Sequence, residues 1–241
     1  MKILYQLTSP MEKTLGEVEI ARRRDVLRGY ANLATAVEVR STPHGPGSIE
    51  SAYDAALVVP EMLQLAPEVE RDGFDALIIG CFSDPGLDAL RETVEIPVIG
   101  PGTSAMHLAA QLGHRFSIIS PLEGGGGRVA ARLRSLGLDA KFASVRGIAM
   151  SVLDLAQHRE ATLARVADMG RRLVQEDGAD VLVLSCMSMA FLDITDDLQI
   201  RLGIPVVNPV MAALKTAEMV VAMHLSHSKS AYPAPPVKAV L

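Results

Sequence analysis

FDALIIGCFSD (residues 74–84) and ADVLVLSCMSM (residues 179–189) decide the fold between them. Each places an acidic residue before four apolar residues, then a small residue, a cysteine, and a small polar residue two positions on. An apolar run of that length, bounded by turn formers, predicts a strand buried on both faces. The repeat continues beyond the two cysteines. EIPVIGPGTSAMHLAAQLG (95–113) comes after Cys81 and GIPVVNPVMAALKTAEMVV (203–221) after Cys186. Each block holds an I-P-V strand, a turn and an Ala/Met-rich helix, about half a chain length apart. The expectation is a duplication: two similar α/β lobes, each with its single cysteine at the carboxyl end of an equivalent strand.

The rest of the chain alternates in the same way. Strands are predicted at Lys2–Leu7, Ala36–Arg40, Ala76–Gly80, Pro97–Ile99, Phe116–Ser120, Ala140–Ala143, Val181–Ser185 and Pro205–Val207. Longer segments with helical spacing, such as Ile49–Arg71 and Thr162–Glu176, separate most of them. Apolar strands alternating with helices predict parallel sheets covered on both faces. Asp84 followed by Pro85 looks like an N-cap with a first-turn proline, and Ser48 is read as the cap of the next long helix back.

Composition narrows the class of function. The chain has 241 residues, 49% of them hydrophobic, enough for one large domain or two small ones. A net charge of −5 and the lack of a Lys/Arg stripe argue against nucleic acid; ARRRD (residues 21–25) is the solvated face of a helix. The apolar part of MKILYQLTSP is too short for a signal peptide. No apolar run reaches the ~18 residues of a membrane span. Two cysteines without an export signal predict free thiols in a reducing cytoplasm.

The position of those cysteines carries the chemistry. Open parallel sheets bind ligands beyond the carboxyl ends of their strands, where helix N-termini offer N–H groups and partial positive charge. A thiol there has its thiolate favoured. If the two lobes face one ligand by pseudo-two-fold symmetry, two thiols flank one carbon. Racemisation without a cofactor needs that arrangement: one thiolate removes the α-proton while the opposing thiol donates to the other face. The plain alternative is a pair of buried structural cysteines. A redox pair lacks the C-x-x-C spacing. Gly124–Gly127 match neither phosphate-binding glycine pattern and are read as a mobile turn near the mouth of the site. The six histidines form no ligand cluster: His107 and His114 are read as structural, and His224 and His227 as exposed near the terminus. The eleven methionines fall at helical spacing, as core residues do. The proline-rich end, SHSKSAYPAPPVKAVL (residues 226–241), is expected to be an extended or disordered arm on a neighbouring subunit.

GPGSIESAYDAAL (45–57), CFSDPGLDALRE (81–92) and GADVLVLSCMSM (178–189) resemble the aspartate/glutamate/hydantoin racemase superfamily, and within it the hydantoin and allantoin racemases. The resemblance extends to about Met223. It implies two flavodoxin-like lobes, no metal or organic cofactor, and Cys81 and Cys186 as paired acid/base catalysts. It also implies that the chain crosses between lobes twice, with residues 1–97 plus 208–225 forming the first lobe, 98–207 the second and 226–241 a tail. The substrate would lie in the cleft between lobes, hydrogen-bonded by Thr8, Ser9, Ser83, Thr103, Ser104, Ser120 and Ser188, with Met187 beside it. Three stretches differ from the family pattern. QLTS (6–9) stands where N-P-N followed by Ser or Thr is usual, SPL (120–122) replaces a Thr-Thr pair, and SCMSM replaces G-C-A-G-M. The thiols are kept while the recognition residues change.

The favoured reading is a cofactor-independent racemase acting next to a carbonyl, on a 5-substituted hydantoin or allantoin. A decarboxylase or cis-trans isomerase of the same superfamily, acting on a small carboxylic acid, is the alternative within the enzymes. A non-catalytic small-molecule binding protein is the alternative outside them. Expected partners are a small-molecule substrate and further copies of the chain, with neither nucleic acid nor membrane.

Overall fold

All eight expected strands are found, seven of them with small shifts at the ends. A computed structural model describes residues 1–236 of the chain. In chain order it contains β1 (Lys2–Gln6), α1 (Met11–Thr14), α2 (Gly16–Tyr30), β2 (Ala36–Arg40), α3 (Ala52–Arg71), β3 (Ala76–Ile79), α4 (Leu87–Thr93) and β4 (Val98–Ile99). Then come α5 (Pro101–Leu112), β5 (Phe116–Ser120), α6 (Gly126–Ser135), β6 (Phe142–Gly147), α7 (Val152–Gln157) and α8 (Arg159–Asp177). The last elements are β7 (Val181–Leu184), α9 (Met187–Ala190), α10 (Thr195–Leu202), β8 (Val206–Val207) and α11 (Pro209–Ala222). Only β6 departs much from the sequence reading, which begins it at Ala140. A 3-10 turn takes Asp139–Lys141, and all six strand residues are half-buried, so no apolar run marks this strand.

Two four-stranded sheets result, ordered β2-β1-β3-β4 and β6-β5-β7-β8, with every pairing parallel. The same strand order appears twice, as the repeat in sequence predicts. Strands β3 and β7 lie inside their sheets and are buried at all four positions. Removing one such aliphatic side chain from water stabilises the fold by ~1.5–3 kcal/mol. The chain divides into two compact units. Among the described residues, the first comprises 1–80, 84–100 and 214–236, and the second 81–83 and 101–213. Helix α5, which comes after the last strand of the first sheet, therefore belongs to the second unit. Most of α11, which comes after the last strand of the second sheet, belongs to the first.

Some local readings are corrected. Ser51, not Ser48, caps α3: its hydroxyl accepts from the Asp54 N–H at 3.1 Å, and the Asp54 carboxylate accepts from the Ser51 N–H at 2.9 Å. That reciprocal box needs an acceptor three residues on, which Ser51 has. Asp84 does not cap α4. Gly86, in the left-handed region at φ 70°, precedes that helix, while Asp84 is itself buried at φ 50°. The tail does not leave the body at residue 226. Val98 N–H of edge strand β4 donates to His227 Nε2 at 2.9 Å, Lys229 donates to the Val94 carbonyl at 2.6 Å, and Arg91 donates to the Tyr232 hydroxyl at 3.1 Å. His227 is thus half-buried rather than exposed; burial first, then the Arg91 cation, holds its imidazole below its ordinary value. An unprotonated Nε2 is what a strand N–H requires as acceptor. The remainder of the predicted arm, residues 237–241, lies outside the described residues.

One buried carboxylate ties α11 to the first unit. Glu218 accepts from the Asn32 N–H at 2.7 Å and from Lys215 Nζ at 2.8 Å. Burial pushes its carboxyl up, but the Lys215 ammonium and the Asn32 N–H outweigh burial and leave it below the usual carboxylate range. A folded pKa below the unfolded one gives stability that is complete above the unfolded value and lost as pH falls through the folded one. Glu218→Gln is therefore expected to destabilise the protein by ~1–3 kcal/mol at neutral pH. Denaturant melts of the two proteins should converge as the pH falls through the carboxylate range.

Candidate active site

Both cysteines stand one residue past the last ladder hydrogen bond of their strand. In the first sheet Gly80 N–H donates to the Gln6 carbonyl at 2.7 Å; in the second Ser185 N–H donates to the Ile119 carbonyl at 2.9 Å. The chain then leaves the sheet, and the next side chain is the thiol. Gly80 cannot be larger, because a Cβ there would lie 2.6 Å from the Gln6 carbonyl oxygen. Ser185 has room for its side chain, and its hydroxyl donates to the Ile119 carbonyl at 2.9 Å. Cys81 is 9% exposed and Cys186 6%, and both are free thiols. Cys81 Sγ lies 3.2 Å from Ser83 Oγ. Cys186 is extended, at φ −139° and ψ 129°, immediately before α9, and its carbonyl accepts from Ala190 N–H at 2.9 Å.

The Cys81 turn is held differently. Residues 81–83 pack with the second unit, which also contains Cys186. The Phe82 carbonyl accepts from Arg132 Nη1 at 2.7 Å, and Arg132 Nη2 donates to Thr103 Oγ1 at 3.3 Å. A Cβ on Gly102 would stand 2.0 Å from that same Phe82 oxygen, so only glycine lets the turn come this close. The Asp84 carboxylate fills the space a Gly100 side chain would take, 2.4 Å from its ideal Cβ. The second lobe solves the same problem within one residue. Asn208, immediately before α11, accepts from Val210 N–H at 2.9 Å and donates to the Ala190 carbonyl at 3.0 Å.

The predicted recognition residues divide between the units. Thr8, buried, and Ser9, half-buried, belong to the first unit, where the Ser9 carbonyl accepts from Met11 N–H at 2.8 Å and from Ser41 Oγ at 3.0 Å. The second unit gathers Ser83, Thr103, Ser104, Ser120, Met187 and Ser188 with both thiols. Ser83 is exposed; Thr103, Ser104 and Ser120 are half-buried; Met187 and Ser188 are buried in the single turn of α9. Gly124 and Gly125, at φ 89° and 75°, form an exposed turn into α6. Among the described residues, no group of three or more His, Cys, Asp or Glu is placed to hold a metal ion.

Sequence reasoning misses Arg132 and Gly102. Arg132 is one of several arginines in GGRVAARLRS, and nothing local distinguishes it. Gly102 does carry a signal: glycine in the first turn of a helix costs about 1 kcal/mol against alanine and needs a reason.

Residues 22–217 match the family described as Asp/Glu/Hydantoin racemase. The chain belongs to the Asp/Glu/hydantoin racemase family. The hydantoin racemase of Pseudomonas sp. (strain NS671) is 35% identical to this racemase over 206 residues, 84% of this chain and 80% of that one. The hydantoin racemase of Paenarthrobacter aurescens is 32% identical over 207 residues, 86% of this chain and 87% of that one. Among solved structures, the allantoin racemase from Klebsiella pneumoniae superposes with a TM-score of 0.90 at 28% identity, covering 100% of this chain and 96% of that one. The racemase is thus an isomerase by class, built on the two similar parallel-sheet lobes of its family. No helix among its described residues is long and apolar enough to cross a membrane.

Proposed function

We propose that this racemase inverts the stereocentre next to a carbonyl in a 5-substituted hydantoin or in allantoin, with Cys81 and Cys186 as its two acid/base groups. The observation that carries the reading is the matched placement of the thiols, each one residue beyond the last ladder bond of an equivalent strand. The hydantoin and allantoin racemases that resemble the chain supply the substrate class.

The chemistry stems from the substrate. The C5–H bond of such a ring is acidified by the adjacent carbonyl, which takes up the electron pair as an enolate when the proton leaves. One cysteine, as thiolate, accepts that proton. The other, as thiol, returns a proton to the opposite face, and the enolate collapses to the mirror-image carbon. The two cysteines end with their protonation states exchanged, and proton exchange with water restores the starting form. Hydroxyls of Ser83, Thr103, Ser104, Ser120 and Ser188, with Thr8 and Ser9, would donate to ring oxygens, where developing charge rewards a fixed donor. Met187 would lie against the apolar edge of the substrate.

A chiral assay of purified protein against both hands of several 5-substituted hydantoins and of allantoin tests the substrate class. Racemisation of at least one ring in both directions is expected. Turnover of an open-chain dicarboxylic acid with no action on any of the rings would overturn it.

A further inference from the structure

The two thiols sit in turns that are alike in sequence and unlike in support. After Cys186 the chain enters α9, so the carbonyl of the next residue, Met187, accepts from Phe191 N–H at 2.9 Å. After Cys81 no helix begins until Leu87. The carbonyl at the equivalent place, Phe82, takes its hydrogen bond from a side chain instead, the Arg132 guanidinium at 2.7 Å. The same guanidinium reaches Thr103 Oγ1 and lies 5.9 Å from the centre of the Phe82 ring. Its nitrogens would meet a Cβ on Gly102 at 2.8 and 2.9 Å, so the glycine leaves room for the guanidinium as well as for the carbonyl. A charged donor on a neutral carbonyl is one of the stronger hydrogen bonds a protein makes.

We propose that Arg132 is the positioning residue of the Cys81 thiol, doing from α6 what the first turn of α9 does for Cys186. It acts through the Phe82 carbonyl, fixing the backbone one residue beyond the sulfur. The two half-reactions would then be separately adjustable, one through Arg132 and the other through a helix. This inference rests on the two-thiol reading above for its catalytic consequence, but not for its structural one.

Arg132→Met and Arg132→Lys test it, each compared with the wild type by melting temperature and by two further readouts. The first is the limiting rate of iodoacetamide alkylation above the thiol titration range, resolved for each cysteine by mass spectrometry. At that pH the rate reports access rather than ionisation. In Arg132→Met, Cys81 should be alkylated several-fold faster as its turn loosens, with Cys186 unchanged as the internal reference; Arg132→Lys should fall between. The second is turnover. Racemisation should drop about tenfold or more in both directions. Proton exchange without inversion should survive for the hand served by Cys186. Equal changes at both cysteines, or a change at neither, would overturn the proposal. A selective change at Cys81 in a protein that racemises none of the rings would uphold the positioning role and overturn only the substrate reading.

Discussion

Cys81→Ser and Cys186→Ser are each expected to lower racemisation by about 10²–10⁴-fold or more, the range that a positioned proton-transfer group contributes. The substitution is small enough to leave the fold in place. Both sulfurs are largely buried, at 9% and 6% exposure, and a serine hydroxyl occupies less space while keeping a donor and an acceptor. What is lost is acidity. A thiol ionises near pH 8.5 in the open and lower when favoured by its surroundings, whereas a hydroxyl does not ionise near neutral pH. Both directions of the reaction need both groups, one as base and one as acid, so either substitution should stop inversion from either hand. The double variant should be little worse than either single one, because groups that act as a unit do not add. Chiral chromatography of initial rates, with circular dichroism to confirm the fold, measures this. Retention of full activity by either single variant would remove that cysteine from the mechanism.

Gly102→Ala is expected to be the most damaging change that touches neither thiol. Its added methyl would stand 2.0 Å from the Phe82 carbonyl oxygen and 2.8 Å from Arg132 Nη1. An ordinary contact needs more than 3 Å, so the Cys81 turn must retreat by more than an ångström or α5 must move. Overpacking of that kind costs about 1–3 kcal/mol of stability. A misplacement of about 1 Å at a reacting group can cost on the order of 10²-fold in rate. Denaturant melts and kcat should therefore both fall, the rate by the larger factor. Gly137→Ala supplies the control: its position, at φ 69° on the exposed end of α6, has nothing within 4 Å of a new Cβ, so it carries backbone strain without a clash. It should lose some stability and keep its rate.

The lobes are legible in the sequence because their strands are apolar at every residue. Ala76–Ile79 and Val181–Leu184 could hardly be anything but buried parallel strands, and the repeat after them gives the second sheet its order. The half-buried edge strand β6 is less legible, because an edge mixes apolar and polar residues. The cysteines are legible for the same reason as the strands: each ends one. The support around them is not. Arg132 reaches Phe82 across fifty positions of sequence, and no local pattern encodes such a contact. Asp84 reads as the cap of the nearest helix because its neighbour is proline, yet its carboxylate turns back against Gly100. His227 reads as exposed from its place near the terminus, but it accepts the free N–H of edge strand β4. In each case a local rule gives way to a partner distant in the chain.

The two-thiol mechanism is tested most directly by solvent deuterium. Each hand of a racemised ring is incubated separately in deuterated water with wild type, Cys81→Ser and Cys186→Ser, and the C5 position is tracked by nuclear magnetic resonance at early conversion. The wild type should place deuterium in the inverted product while the remaining substrate still carries protium, because the proton lost goes to one sulfur and the proton gained comes from the other. Each variant should exchange the C5 proton of one hand only, without inverting it, and the two variants should differ in the hand they exchange. Inverted product that retains its original protium, or two variants that exchange the same hand, would contradict a mechanism with one thiol on each face.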